Sequence, residues 1–390
     1  MPLKDHFLLD PEITYLNHGS FGACPEPVFK TYQDWQLQIE REPVDFFVRQ
    51  IRGPFTRERG GPLEDARESL AEYVGAPSSD IFFTPNVTVA LNTIARSIEL
   101  KPGDEVLTTD HEYGTILATW ERASEKAGAR VVQHPVELPV TTHADFVEDF
   151  WKSVTPATRV ILMSHITSAT ALILPVEEIC KRARQVGILT VIDGAHAVGQ
   201  LDLDLQALAA DYYTSNCHKW LCTPKGSAFL YVHPDHQEQL EPLVISWAWV
   251  HDQSFSLIHE MWGTRDLSAF LSIPAAIQFY ADHDWPSVRA QCHRLLVAAR
   301  QRIDNLTGLT PIAPEGEGWF QQMAAMALPE HVKPAALWQT LFEEYHIESQ
   351  PTRWCDQGFL RLSIQGYNTD GDINRLVDAL ENVLSGQIPS

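Results

Sequence analysis

From about residue 63 to residue 245, the chain alternates amphipathic segments with short runs of β-branched residues. Two of the amphipathic segments, 63–75 and 176–187, carry apolar residues at helical spacing and end at glycines, which favour the C-terminus of a helix. Strands that are apolar on both faces are typical of a parallel sheet buried between helices. The alternation therefore predicts an α/β fold with a mainly parallel sheet. The predicted strands are 104–109, 129–134, 158–165, 188–193 and 227–233.

The chain is long enough for two domains, because 390 residues exceed what one hydrophobic core usually holds. From about residue 275 the pattern changes to a long helical stretch, then strand-like runs alternating with helices, which is an α+β pattern. We expect an N-terminal segment (1–20) that packs with the small domain and the active site, a large domain (21–270) and a small C-terminal domain (271–390).

The charge balance limits the possible partners. Asp and Glu number 51 against 29 Lys and Arg, which gives a formal net charge of −22. Such a surface repels phosphate backbones and anionic lipid, so we expect neither nucleic acid nor membrane as a partner. An anionic ligand must then be held by a dedicated local site. No signal peptide, CxxC pair or metal-binding pattern is visible, so we predict a cytoplasmic protein without a metal site.

Two residues in the buried-strand series suggest chemistry. Asp193 ends a strand at the sheet edge where open α/β folds bind ligands. Lys219 lies in the apolar run around Trp220, and burial of a lysine favours the neutral amine that forms Schiff bases. A buried aspartate is also a suitable partner for a pyridinium nitrogen. A salt-bridged Asp193 and an exposed Lys219 at loop ends would be the alternative interpretation.

Two neighbouring motifs add to this pair. Residues 82–95 follow a strand–turn–helix pattern that places Asn86, Val87 and Thr88 at a helix N-terminus, where backbone amides and the helix dipole favour phosphate. Tyr113 follows another strand end and could stack on a flat ligand, although an ordinary surface tyrosine fits the pattern equally well. The sequence thus predicts sites for a phosphate and for a planar group near one edge of the sheet.

Eight motifs in series resemble the class V aminotransferase family, the fold type I enzymes that use pyridoxal 5′-phosphate. Within it, the chain is most similar to the isopenicillin N epimerase-like proteins. The resemblance implies a large domain with a mainly parallel, seven-stranded sheet between helices, a smaller α+β C-terminal domain and a homodimer. The motifs are YLNHGSFGACPEPV (15–28), NVT (86–88), HEY (111–113), SHITSATALILPV (164–176), DGAH (193–196), NCHKW (216–220), GTRDLSAF (263–270) and RLSIQGYNT (361–369).

The resemblance implies roles around the cofactor ring. Lys219 would bond to the cofactor and move the proton at the substrate Cα, and Asp193 would pair with the ring nitrogen. His196 and Ser168 would lie beside the phenolic oxygen. Tyr113 would stack on the ring.

The resemblance also implies the binding of two anions. The phosphate would be held by Thr88, Asn216, His218 and the Val87 backbone, and by Thr264 of a neighbouring subunit. Arg361 would bind the α-carboxylate of an amino acid or amino-acid conjugate, a bidentate task that suits arginine. Asn17 would close over the same carboxylate.

The reaction is less constrained than the cofactor. We predict epimerase-like chemistry at Cα, with β-elimination by a C–S lyase or transamination as alternatives. Desulfuration needs a reactive cysteine on a long loop, whereas Cys355 lies only six residues before Arg361 and fits a buried or partly buried structural role.

The sequence does not decide the roles of several other residues. His18, His111 and His165 lie in motifs expected near the site, and each is either a second base or a structural histidine. The position of Cys217 suggests packing rather than catalysis. A basic loop with Arg49, Arg52, Arg57 and Arg59 could bind an acidic group of the substrate or could be a solvated face.

Overall fold

The computed structural model describes residues 3–51, 61–251, 254–316 and 318–386. These residues form a seven-stranded, a three-stranded and a two-stranded sheet. The strands are β1 (Thr14–Tyr15), β2 (Ile81–Thr84), β3 (Glu105–Thr109), β4 (Arg130–His134), β5 (Thr158–Ser164), β6 (Leu189–Asp193), β7 (Tyr212–Ser215), β8 (Ala228–Val232), β9 (Met323–Ala327), β10 (Ile347–Glu348), β11 (Gln350–Trp354) and β12 (Gln357–Ser363).

The large sheet has the strand order β2-β8-β7-β6-β5-β3-β4. Only β8 runs against its neighbours, and the other adjacent pairs are parallel. The mainly parallel α/β fold is therefore confirmed. The predicted strand 129–134 differs from the expectation of an apolar strand, because β4 is at the edge of the sheet and exposes Arg130 and Gln133.

Helices cover both faces of this sheet. Successive residues of β6, Val191 and Ile192, belong to two different hydrophobic clusters, and Val106 and Leu107 of β3 divide in the same way. The α-helices are α1 (His18–Phe21), α2 (Glu26–Arg41), α3 (Pro62–Val74), α4 (Val87–Ser97), α5 (Gly114–Ala127), α6 (His143–Trp151), α7 (Val176–Val186), α8 (Leu205–Leu208), α9 (Pro234–Gln237), α10 (Trp247–His251), α11 (Phe255–Glu260), α12 (Ser268–Leu271), α13 (Ile273–Asp282), α14 (Trp285–Thr307), α15 (Pro334–Tyr345) and α16 (Asp370–Leu384).

The C-terminal part contains an antiparallel sheet in the order β11-β12-β9, with α14, α15 and α16 around it. The long helical stretch predicted after residue 275 is two helices, because the chain turns at Asp284, whose φ is +46°. Among the described helices, none combines the length and apolar character that crossing a membrane requires.

The N-terminal segment joins the two parts. Strand β1 pairs with β10 in parallel, and Asn17 forms a bridge with Ser363 at the end of β12. The following residues then cross the Lys219 loop so closely that a Cβ on Gly22 would lie 2.1 Å from the His218 carbonyl oxygen. This crossing holds the end of β12 near Lys219.

Candidate active site

A cavity of about 580 Å³ lies at the carboxyl ends of the parallel strands. Strand ends of a parallel sheet meet at one edge, so loops distant in sequence converge there. Most of the predicted site residues line this cavity. They are Asn86, Val87, Thr88, Tyr113, Ser168, Asp193, His196, Asn216, His218, Lys219 and Arg361.

Lys219 is partly buried and lies next to His196. The Lys219 Nζ lies 3.2 Å from Nε2 of His196, and the other ring nitrogen accepts a hydrogen bond from the Trp220 indole at 3.3 Å. An indole nitrogen can only donate, so the neutral imidazole carries its proton on Nε2. That proton points to Nζ, which accepts it only as a neutral amine.

The electrostatics agree with this hydrogen-bond pattern. Burial, reinforced by the positive charge of Arg361 and opposed by Asp193, lowers the pKa of Lys219 to about 7. Burial raises the pKa of Asp193, while the Ala195 amide, 2.9 Å from its Oδ1, and Lys219 counteract the effect. A neutral amine near pH 7 is the form that condenses with an aldehyde.

Helix α4 begins at the opposite side of the cavity. The Asn86 side chain caps the Val89 amide at 3.0 Å, and the Val87 amide donates to Oδ1 of Asn216 at 3.1 Å. The Thr88 amide, in the first helical turn, has no intrahelical acceptor and is available to an anion. His218 donates from Nδ1 to the Ser227 carbonyl at 2.8 Å, and burial lowers its pKa to about 4.

Arg361, on β12, is held by groups from two other segments. Its guanidinium donates to the Ser168 carbonyl at 2.5 Å and to Oγ of Ser20 at 3.0 Å. Its Nε is buried without a hydrogen-bond partner. Burial lowers the pKa of Arg361 to about 10, so the group stays cationic at neutral pH and can bind a carboxylate.

Two predicted residues lie outside this cavity. Asn17 is buried next to it, with hydrogen bonds to Glu348 at 3.2 Å and to Ser20 at 2.6 Å, and therefore contacts Arg361 only through Ser20. Thr264 is exposed and does not line the cavity of its own chain. Its predicted role in a neighbouring subunit stays a prediction.

Glu112 is a cavity-lining residue that the sequence analysis missed. Its carboxyl group accepts hydrogen bonds from Ser164 at 2.5 Å and from Thr109 at 2.8 Å. Burial raises its pKa to about 7, against the lowering effect of these bonds and with a smaller contribution from Asp193. The available signal was its position three residues after the end of β3, at the sheet edge where Asp193 also lies.

The three candidate histidines are engaged elsewhere. His18 contacts the Tyr367 hydroxyl and the Lys219 carbonyl, both at 3.0 Å, His111 contacts Thr170 at 2.7 Å, and His165 contacts Tyr213 at 2.8 Å. None of the three lines the cofactor-sized cavity formed by the described residues. The arrangement favours the structural interpretation for each.

The cysteines give one agreement and one correction. Cys217 is fully buried in the hydrophobic core, and burial raises its pKa, so packing is its role. Cys355 was predicted to be buried or partly buried, which is wrong. It is exposed at the turn between β11 and β12, with φ of +48°, because a hairpin tip has no packing partner.

A small loss of hydration and the acidic neighbours Asp110 and Asp356 raise the pKa of the Cys355 thiol, the opposite of activation. Of the basic loop, Arg49 forms an exposed ion pair with Asp45 at 3.0 Å. The other three arginines, Arg52, Arg57 and Arg59, lie outside the described residues.

The cavity fits pyridoxal phosphate. A neutral lysine suits its aldehyde, a buried aspartate suits its ring nitrogen, and the Thr88 amide at the start of α4 suits its phosphate. The buried, unpartnered Nε of Arg361 leaves a donor for a second anion, as expected for an amino-acid carboxylate. Fold and site together define a fold type I enzyme that depends on this cofactor.

Comparison with known proteins gives the family. The family model described as aminotransferase class-V matches residues 54–376, and the chain belongs to that family. The isopenicillin N epimerase of Amycolatopsis lactamdurans is 35% identical over 97% of both chains. A probable chloroplastic L-cysteine desulfhydrase of Arabidopsis thaliana is 26% identical over 96% of this chain and 84% of its own.

The solved structures support the fold. The apo cysteine desulfurase from Thermococcus onnurineus superposes with a TM-score of 0.83 at 20% identity, over 98% of both chains. This likeness concerns the fold alone. The family membership makes the chain a class V enzyme with pyridoxal phosphate as its cofactor.

Proposed function

We propose that the protein moves a proton at the Cα of an amino acid or amino-acid conjugate, with epimerisation as the outcome. The observation that carries the proposal is that one cavity holds both a partly buried Lys219, whose pKa is lowered to about 7, and a buried, cationic Arg361. Lys219 is a base, and Arg361 is a hydrogen-bond donor to the substrate carboxylate. Together they fix which bond of the substrate is presented to the base.

Each residue then has a separate task. Arg361 binds the α-carboxylate and orients the substrate, and Lys219 accepts the Cα proton once the substrate has displaced it. His196, 3.2 Å from Nζ, holds the amine in place. Bound pyridoxal phosphate supplies an electron sink for the charge that develops at Cα, and Asp193 stabilises its protonated ring nitrogen.

Epimerisation also requires a proton donor on the other face of Cα. His18, His111 and His165 do not line the cavity, whereas Tyr113 lines it and is half exposed. We assign the second proton transfer to the Tyr113 hydroxyl. The 35% identity to an isopenicillin N epimerase over nearly the whole chain supports this outcome.

β-Elimination by a C–S lyase is the second candidate. It needs only one base, which is consistent with the three histidines facing away from the cavity. The relatives named as cysteine desulfhydrases support it at lower identity. Transamination, the remaining alternative, would also use Lys219 alone.

One experiment separates these reactions. The cofactor-loaded enzyme is incubated in deuterated water with a panel of amino acids, and Cα deuterium, configuration, pyruvate and keto acids are measured together. We expect exchange with inversion and without pyruvate, and loss of inversion but retained exchange in Tyr113→Phe. Stoichiometric pyruvate with sulfide would replace the epimerase proposal by the lyase, and keto acid without inversion would indicate transamination.

We also propose that the protein acts as a homodimer in a reducing cytoplasm, with Thr264 reaching the phosphate of the neighbouring subunit. The exposed position of Thr264 supports this role. All six cysteines are free, which is consistent with a reducing compartment.

A further inference from the structure

A second, larger cavity of about 1440 Å³ adjoins the cofactor cavity. We call it the hairpin groove, because the β11–β12 hairpin and the start of α15 form most of its wall. The two cavities share lining residues, so they lie side by side. The shared residues are Phe21, Gln350, Thr352 and Arg353.

The groove begins next to the predicted carboxylate site. Gln350 is the cross-strand partner of Arg361 in the β11–β12 ladder. Asn17 lines the groove and accepts a hydrogen bond from Ser20, which in turn accepts one from Arg361. If Arg361 holds the carboxylate of a substrate, the substrate side chain therefore lies near the entrance of the groove.

The sizes of the two cavities argue against a small substrate. Ligand sites commonly measure about 300–1,000 Å³. The first cavity, at about 580 Å³, is within that range and suits the cofactor with a small amino acid. The additional 1440 Å³ of the groove has no role in binding such a substrate.

The walls of the groove favour an uncharged occupant. Phe21 and Trp338 line it and are 71% and 48% exposed, although both are large apolar side chains. The basic residue at the junction, Arg353, already lies 3.5 Å from the Asp356 carboxylate. The wall carries three acidic residues, Glu330, Glu348 and Asp356, against the two basic residues Lys333 and Arg353, and this excess of negative charge disfavours a carboxylate.

We propose that the hairpin groove binds the side chain of the substrate, and that this side chain is long, apolar and uncharged at its end. The inference rests on the proposed function, since it requires an amino acid held by Arg361. It narrows the substrate to amino acids with an extended aryl or alkyl substituent and disfavours cysteine itself.

The test uses the cofactor-loaded enzyme and three probes that lack a leaving group at Cβ. They are L-alanine, L-2-amino-5-phenylpentanoate and L-2-aminooctanedioate. Dissociation constants are taken from the change in the visible absorption of the bound cofactor and checked by calorimetry. We expect the phenyl compound to bind about tenfold or more tightly than either of the others.

Substitutions on α15 locate the effect. Trp338→Ala should weaken binding of the phenyl compound by about tenfold and leave alanine unchanged. Phe342→Ala is the matched control, because Phe342 is a 41% exposed aromatic residue one turn further along the helix and outside the groove. Ala335→Trp should fill the groove and exclude the phenyl compound without affecting alanine.

The outcomes separate the two levels of the proposal. If alanine binds but the phenyl compound shows no preference, or if Trp338→Ala and Phe342→Ala behave alike, the groove has no role in substrate binding and the proposed function stands. If the dicarboxylate binds more tightly than the phenyl compound, the proposal that the substrate side chain is uncharged at its end is wrong. If no probe changes the cofactor spectrum, the proposed function fails and the groove proposal with it.

Discussion

Burial favours the neutral form of two cavity residues, one a base and the other an acid, so it shifts their pKa values in opposite directions. Lys219 loses a proton more readily and Glu112 holds its proton more tightly, so that the pKa of each moves to about 7. The common cause is the cost of a charged group away from water. The cavity consequently carries less charge near neutral pH than its residue types suggest.

The ionisation of Glu112 should be visible in stability. Its pKa is raised in the folded protein, so it contributes stability below pH 4.5 that is lost as the pH rises to about 7. We expect Glu112→Gln to remove this loss and to be more stable than the parent at pH 8, by on the order of 3 kcal/mol. Urea unfolding of the cofactor-free protein at pH 5 and pH 8 measures the difference.

Lys219 is present in both the parent and Glu112→Gln, so its own effect on stability cancels when the two proteins are compared at one pH. Its pKa is lowered in the folded protein, so its effect on stability falls between about pH 7 and 10.5, where stability rises with pH. Equal pH dependence of Glu112→Gln and the parent between pH 5 and 7 would show that Glu112 is ionised in the fold.

Cys355 provides a test of the reaction type. Its thiol is exposed but has a raised pKa and lines the hairpin groove rather than the cofactor cavity. We expect Cys355→Ser to keep turnover within about twofold of the parent, because a poorly ionised thiol is a weak nucleophile. A loss of turnover together with a persulfide on Cys355 in the parent, detected by mass spectrometry, would instead indicate a desulfurase.

At the scale of elements, the crossing of the N-terminal segment over the Lys219 loop depends on Gly22. Its φ of +70° and ψ of +163° belong to a region that glycine alone occupies readily. A Cβ there would also meet the His218 backbone at 2.1 Å. We expect Gly22→Ala to lower both the free energy of unfolding, by about 3 kcal/mol, and the affinity for pyridoxal phosphate.

Gly187→Ala is the control for this variant. Gly187 has a similar φ of +72°, but a Cβ would meet nothing within 4 Å. It should cost only about 1 kcal/mol and leave cofactor affinity unchanged. Denaturant unfolding and cofactor titration of both variants decide the point, and equal effects on affinity would exclude the crossing as the cause.

The local sequence pattern was sufficient to predict the helices and strands, but not the position of every element in the fold. The position of Asp193 at a strand end could be predicted, because hydrophobic periodicity and a terminating acid are local signals. The edge position of β4 depends on strand order, and the break at Asp284 depends on a single backbone torsion, so neither was visible. The exposure of Cys355 likewise depends on which neighbours the hairpin tip lacks.

Contacts between distant segments were the least predictable part of the site. Motif order placed Lys219 and Arg361 in one cavity. The hydrogen bonds of Ser20 with Arg361 and of Glu112 with Ser164 join separate segments, and no sequence spacing encodes them. The adjacency of the hairpin groove and the cofactor cavity has the same origin.

For the whole molecule, the net charge of −22 makes anion binding a local property. The donors are Arg361, the Thr88 amide of α4 and, in the proposed dimer, Thr264. We expect Thr264→Ala to leave the fold intact and to weaken binding of pyridoxal phosphate by about tenfold, the loss of one hydrogen bond to a charged group. Sedimentation with cofactor titration tests this, and a monomer that binds cofactor fully would contradict it.

The proposed function depends on a covalent link between Lys219 and the cofactor. The loaded protein is reduced with borohydride, digested and analysed by mass spectrometry. We expect a phosphopyridoxyl group on the peptide containing Lys219. In Lys219→Ala, both this label and the visible absorption band should be lost. A label on another lysine, or a protein that takes up no pyridoxal phosphate, would contradict it.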